Sequence, residues 1–140
     1  MHIPKNSCIL NSHIRNEDLR GNIVSIVDRK IQNVSIIKCN AYTIRSNHYH
    51  LTDWHIMHVL KGKIDYFYKN LKDDKINYLN VKKDQNIFTP AKEIHATFFP
   101  IDTVLIVCSK NPRDRNTYEK DTVRVNFINQ NNIQNFLNQF

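Results

Sequence analysis

Short runs of β-branched and aromatic residues recur along this chain, with polar turn residues between them. They lie at Ile23–Val27, Val34–Cys39, Tyr42–Arg45, Trp54–Leu60, Lys63–Tyr68, Ile76–Val81, Ile87–Thr89, Ile94–Phe98, Thr103–Cys108 and Thr122–Ile128. Such runs fit pleated, half-buried surface. Their density predicts an all-β sandwich or barrel. The polar stretch Asn70-Leu71-Lys72-Asp73-Asp74 reads as the loop of a hairpin. The tail departs from this pattern: Ile133, Phe136, Leu137 and Phe140 recur at helical spacing, which predicts a short C-terminal amphipathic helix packed on the barrel. The segment from Pro112 to Arg124 mixes charges of both signs and reads as a salt-bridged loop before a last strand, one that pairs at a sheet edge or across a dimer. Gly21 and Gly62 are the only glycines, so each is expected to serve a backbone purpose.

No repeat, low-complexity tract or Pro/Ser linker divides the chain. Its 140 residues fit one domain, spanning 1–140 with a core at about 22–128. Hydrophobic residues at 41% and charged residues at 24% exclude a disordered chain. Twenty Lys and Arg against 13 Asp and Glu leave a formal charge of +7. That surplus attracts anions such as phosphorylated metabolites, nucleic acid or acidic surfaces. Nucleic acid is disfavoured, because there is no recognition helix, zinc-finger spacing or aromatic-basic stripe. No run approaches the roughly 18 apolar residues of a membrane span. The N-terminus lacks the apolar stretch of a signal peptide, so a cytoplasmic location is expected. Cys8, Cys39 and Cys108 are odd in number and widely spaced, which fits free thiols in a reducing compartment.

Histidines carry the chemical signal. In a strand, residues two apart share a face, so His48 and His50 aim two imidazoles at one point. A chain reversal at Leu51–Asp53 would return His55 beside them. Along the next strand His55, Met57 and Val59 share one face, and His58 looks away with Trp54 and Ile56. His95 offers a fourth imidazole. Converging neutral imidazoles in an apolar barrel suit a divalent transition metal: Fe, Mn, Ni, Cu or Zn.

This spacing resembles the cupin superfamily, whose first motif is G-x5-H-x-H-x3–4-E-x6-G. His48 and His50 fill the H-x-H, His55 stands where the Glu would be, and Gly62 closes the motif. In the second motif, G-x5-P-x-G-x2-H-x3-N, Pro90 and His95 are in place. Asp84 and Lys92 replace the glycines, and Phe99 stands at the Asn position. The resemblance implies a small antiparallel jelly roll, the cupin double-stranded β-helix, with its site inside the barrel. It also implies a metal held by His48, His50, His55 and His95. With His for Glu at position 55, the bound ion would keep more net charge, act as a stronger Lewis acid and favour anionic ligands.

Asp18-Leu19-Arg20-Gly21 followed by Arg45-Ser46-Asn47-His48-Tyr49-His50 is similar to small cupins of bacterial surface-sugar pathways, among them the dTDP-4-keto-6-deoxyglucose 3,4-ketoisomerases. Their openings resemble D-x-R-G followed by R-G-x-H-x-H, with Ser46 here in place of the Gly. In the ketoisomerases the histidine pair works as acid and base without a metal, which would make His48 and His50 proton shuttles. With a metal bound, those imidazoles are occupied, and Tyr49, Glu93 or a water would carry the proton. Arg45 would hold the diphosphate of a sugar nucleotide. Tyr49 and Trp54 could stack on a base or sugar, although Trp54 reads more readily as core or dimer packing. The expected function is an isomerase- or epimerase-type enzyme acting as a homodimer on a sugar nucleotide or related anionic or carbohydrate small molecule. A metal-dependent oxygenase and a non-catalytic sugar- or metabolite-binding module stay open as alternatives.

Overall fold

A computed structural model describes residues 2–140. Twelve strands and two short helices follow in chain order. The strands are β1 (Cys8–Asn11), β2 (His13–Asp18), β3 (Gly21–Ser25), β4 (Asn33–Cys39), β5 (Thr43–His50), β6 (His55–Lys61), β7 (Lys63–Asn70), β8 (Asn77–Lys82), β9 (Gln85–Thr89), β10 (Glu93–Phe99), β11 (Thr103–Ser109) and β12 (Thr122–Arg124). Helix α1 (Arg115–Asp121) precedes β12, and α2 (Ile133–Asn138) follows it. Two five-stranded sheets, ordered β1-β9-β6-β11-β4 and β12-β5-β10-β7-β8, pair antiparallel throughout. This is the expected all-β jelly roll with a short C-terminal helix.

Period-two alternation sorts the side chains into three packed layers. Met57, Val59, Ile64, Tyr66, Val81, Ile87, Phe99, Leu105 and Val107 point inward and fill the space between the sheets. Phe67, Ile94, Ala96 and Phe98 face out from the second sheet, where Phe127, Ile128 and Ile133 of the tail cover them. Trp54, Ile56 and Phe88 face out from the first sheet under Ile26, Val27 and Ile31. Each Val, Leu, Ile, Met or Phe among them, once fully buried, contributes about 1.5–3 kcal/mol. The inner apolar layer ends short of one mouth of the barrel, and there the histidines lie.

Some elements differ from the sequence expectation. Strands β1 and β2 carry no strong β-branched run; β2 is His-Ile-Arg-Asn-Glu-Asp and exposed throughout. It pairs only with β3, as a separate two-stranded ribbon. The expected loop before the last strand is helical over α1. Asp114 caps it by accepting from the Thr117 backbone N–H at 3.2 Å, and no α1 residue is buried, so no apolar period marked it. The last strand stops at Arg124, and it pairs at the sheet edge with β5 of the same chain. Cys8, Cys39 and Cys108 are free thiols, as expected. No helix among the described residues is long and apolar enough to cross a membrane.

Candidate functional site

Strand β5 delivers two histidines through a local irregularity. Its register with β10 slips between His95 and Ala96, so that His48 faces His95 while Ser46 faces Ala96. Ser46 and Asn47 sit in the left-handed region, at φ 71° and 57°. The bulge bends the strand and turns its last residues into the mouth. Asn47 anchors it: its Nδ2 donates to the Ile128 carbonyl and its Oδ1 accepts from the Ile128 N–H, both at 2.9 Å. His55 starts β6, and His95 is the third residue of β10.

The four imidazoles come together. Ring centroids lie 4.6 Å apart for His48–His50, 4.7 Å for His48–His95, 5.3 Å for His55–His95 and 5.7 Å for His50–His55. All four residues are buried. Their donor atoms, however, form two overlapping sets rather than the single four-histidine sphere expected. Ligand atoms of His48, His50 and His95 lie within 4.8 Å of one another, and so do those of His50, Asp53 and His55. Asp53 joins because it ends the reversal that brings His55 back.

Hydrogen bonds fix two of the tautomers. The Thr122 hydroxyl donates to the Tyr118 carbonyl at 2.6 Å, so its oxygen accepts from His50 Nδ1–H at 3.2 Å. His95 Nδ1–H donates to the Glu93 carbonyl at 3.1 Å. Each ring therefore presents a bare Nε2 lone pair, and both Nε2 atoms are buried without a protein partner. His55 Nδ1 is likewise buried and unpartnered. Converging lone pairs of this kind call for a cation, a proton or a hydrogen-bond donor between them.

Burial and the neighbouring cations keep the rings neutral. Burial pushes His48 down to about 2, with help from His95, His50, Arg113 and Arg124. It pushes His50 down to about 4, where Arg113 adds to it and Asp121 opposes it. His95 falls to about 3 and His55 lies well below its ordinary value, both chiefly through burial. Neutral imidazoles are the form that ligates metals or accepts a proton.

Arg113 is the cation at this mouth. Its Nη2 donates to Asp53 at 3.0 Å, its guanidinium lies 5.1 Å over the Tyr118 ring, and its Nε is buried and unpartnered. Tyr118 stands with its ring 5.6 Å from that of His50. Asp121 approaches His50 Nδ1 at 3.9 Å and ties down the reversal, accepting from the backbone N–H of Thr52 at 2.9 Å and of Asp53 at 3.0 Å. Sequence reasoning did not single out Tyr118, Asp121, Thr122 or Asp53. The signal for Tyr118, Asp121 and Thr122 was the density of charged and hydroxyl residues between Pro112 and Arg124, and that for Asp53 was the reversal at Leu51–Asp53.

Three expected site residues lie outside the cup. Tyr49 points to the opposite face of β5 from its histidine neighbours and packs in the tail cluster. Trp54 alternates away from His55 and packs on Phe88, with ring centroids 5.8 Å apart. Arg45 is exposed and neighbours the Cys39 thiol, on the far side of the bulge from His48. Glu93 is buried two residues before His95, its carboxylate accepting from the Ser7 hydroxyl and from the Ser7 N–H at 3.1 Å. His58 faces away as expected, its Nδ1 2.7 Å from Asn86 Oδ1.

No family model and no curated protein matches the chain. Solved structures do. The WlaRB TDP-quinovose 3,4-ketoisomerase from Campylobacter jejuni superposes with a TM-score of 0.71 at 19% identity, over 86% of this chain and 94% of that one. QdtA, a sugar 3,4-ketoisomerase from Thermoanaerobacterium thermosaccharolyticum in complex with TDP, superposes with a TM-score of 0.67 at 19% identity, over 97% and 98%. CapF, a capsular polysaccharide assembling protein from Staphylococcus aureus, does so with a TM-score of 0.63 at 22% identity, over 84% of this chain and 32% of that one. The chain thus has the cupin fold of these proteins, with a histidine-lined cup at one mouth.

Proposed function

We propose that this chain is an isomerase-type enzyme of nucleotide-sugar chemistry, moving a keto group between neighbouring carbons of a deoxysugar. The observation that carries the reading is the pair of bare Nε2 lone pairs, on His50 and His95, buried beside a fixed cation. Shifting a ketone from C4 to C3 requires taking the acidic C3 proton and returning a proton at C4, through an enediol. His50 Nε2 is the acceptor for that proton. Its Nδ1–H stays held by Thr122, and the Asp121 carboxylate behind it stabilises the imidazolium that forms. His48, its ring tilted against that of His50 at 4.6 Å between centroids, is the second imidazole of the shuttle. Arg113 supplies the positive field for a diphosphate, and binding that anion raises the depressed basicity of the rings. QdtA and WlaRB act on sugar nucleotides of this class, which supports the same class here.

A second reading rests on the three-nitrogen set. His48, His50 and His95 fit a divalent transition metal (Fe, Mn, Ni, Cu or Zn), because they are neutral, convergent and unpartnered at two Nε2 atoms. Such an ion, when bound, would supply a Lewis acid for a carbonyl or enediolate oxygen. We further read the chain as a cytoplasmic homodimer.

The test is incubation in D2O with TDP-4-keto-6-deoxyglucose, a ligand of a QdtA variant, followed by NMR. Deuterium should enter at C4 of a 3-keto product and at C3 of substrate re-formed from the enediol, and His50→Asn should slow both by about 10²–10⁴-fold. No exchange and no product with this or related keto-deoxysugar nucleotides would remove the isomerase reading. Elemental analysis of the same sample, with turnover measured before and after chelation, decides for or against the metal.

A further inference from the structure

The strongest unassigned feature lies on the outer face of the first sheet, away from the histidine cup. The segment between β3 and β4 crosses that face. Its apolar residues Ile26, Val27 and Ile31 pack down onto Trp54, Ile56 and Phe88, and the Gln32 N–H fastens its end by donating to the Ser109 carbonyl at 3.0 Å. Arg29 and Lys30, between those anchors, are left beside a groove of about 420 Å³ lined by Arg29, Lys30, Gln32, Trp54 and Lys110.

Three of those five lining residues are cationic, and none is acidic. Among the described residues, none of the three forms an ion pair with a carboxylate. Lys110 Nζ donates only to the Thr52 carbonyl, at 3.3 Å. Arg29 Nη2 is buried and has no hydrogen-bond partner. A guanidinium nitrogen taken from water and left unpaired is costly, and two uncompensated ammonium groups beside it raise that cost. Neighbouring acids would normally relieve it. No acid lines the groove, so an anion from outside would supply that relief.

We propose that this groove is a second ligand site, one that binds a phosphate-bearing small molecule, with Arg29, Lys30 and Lys110 holding its diphosphate and the Trp54 indole forming the floor. Guanidinium geometry matches two phosphate oxygens at once, and the lysines add point charge on either side. The site does not depend on the isomerase reading, because Trp54 and His55 alternate to opposite faces of the first sheet and the groove shares no lining residue with the cup.

Trp54 is the only tryptophan of the chain, so intrinsic indole fluorescence reads this groove, and the Arg113→Gln control separates it from the cup. Inorganic pyrophosphate, titrated into the full chain at low salt, should change that emission saturably. Arg29→Gln should weaken the apparent affinity about tenfold or more, the loss expected for a charged hydrogen bond. Lys30→Gln, at an exposed position that does not threaten folding, should weaken it measurably as well. Arg113→Gln should leave it unchanged. Thymidine diphosphate in a parallel titration distinguishes two sources of the anion: equal affinity means that the diphosphate alone is read, and tighter affinity means that an organic body also rests on the indole. The proposal is overturned if pyrophosphate leaves the emission flat. It is equally overturned if the response survives Arg29→Gln and Lys30→Gln, or if Arg113→Gln abolishes it, since the anion would then sit in the cup.

Discussion

At the scale of single residues, the positions where this chain lacks a cupin glycine are instructive. Ser46, Asp84 and Lys92 each stand where the resembling motifs carry Gly, and each adopts positive φ, at 71°, 69° and 60°. The turns keep their shape and absorb the strain of a Cβ in the left-handed region, about 1–2 kcal/mol per residue. Gly62 is different. It has φ 88°, and a Cβ there would meet Thr103 Oγ1 at 2.3 Å and the Asp102 carbonyl oxygen at 2.5 Å. Backbone strain alone can be tolerated, whereas strain combined with a collision against neighbouring backbone cannot. Gly62→Ala should therefore lower stability by about 2–4 kcal/mol. Lys92→Gly should stay within about 1 kcal/mol of the parent, because relief of strain offsets the added freedom of the unfolded chain. Urea denaturation of both variants checks the pair, and equal losses would contradict the steric argument. Period-two alternation placed His48, His50 and His55 toward one point, and the resemblance to the second cupin motif added His95. Neither could place Arg113 or Tyr118, whose approach depends on how α1 folds back.

At the scale of elements, the β2–β3 ribbon is the one piece without a tertiary partner sheet. Every residue of β2 is exposed, and on the ribbon and its turn Ile14, Leu19, Ile23 and Val24 expose 52%, 108%, 46% and 40% of their surface. An isolated two-stranded ribbon is marginal in water. Strand β4 is meanwhile an open sheet edge, with Val34 and Ile36 at 59% and 68% exposure. Open edges with exposed β-branched residues invite pairing. A second copy supplying its ribbon to this edge would satisfy both surfaces under two-fold symmetry. Sedimentation should accordingly give a dimer, and Ile14→Asp with Val24→Asp should shift it to monomer while the far-UV dichroism of the barrel persists. A parent chain that sediments as monomer at micromolar concentration would end the dimer reading. The same element explains what the sequence hid. Strands β4, β6, β7 and β10 bury apolar residues and so were legible. Strand β2 and helix α1 bury nothing, and an element that contributes no side chain to a core leaves no hydrophobic period to read.

At the scale of the whole molecule, the cup sets the response to acid. Four imidazoles are held neutral in the folded chain, with His50 near 4, His95 near 3, His48 near 2 and His55 also lowered. In the unfolded chain each titrates near 6.5. Below that pH the unfolded state binds protons that the folded state refuses, so stability falls as pH falls. The loss begins near pH 6.5 and continues down to the folded values, at about 1.4 kcal/mol per pH unit for each ring. Asp53 and Glu93 act in the opposite sense, because burial raises both carboxyls and the folded chain takes up their protons first. Their two protons offset part of the loss, whereas four rings drive it. The formal charge of +7 at neutral pH grows in acid and adds self-repulsion. Unfolding free energy from denaturant titration should therefore be level above pH 7 and drop steeply between pH 6 and about 4.5. His50→Asn should reduce that slope by about one proton equivalent. A profile that stays level to pH 4.5 would mean that the rings take up protons while folded, and the buried, neutral cup would not survive that result.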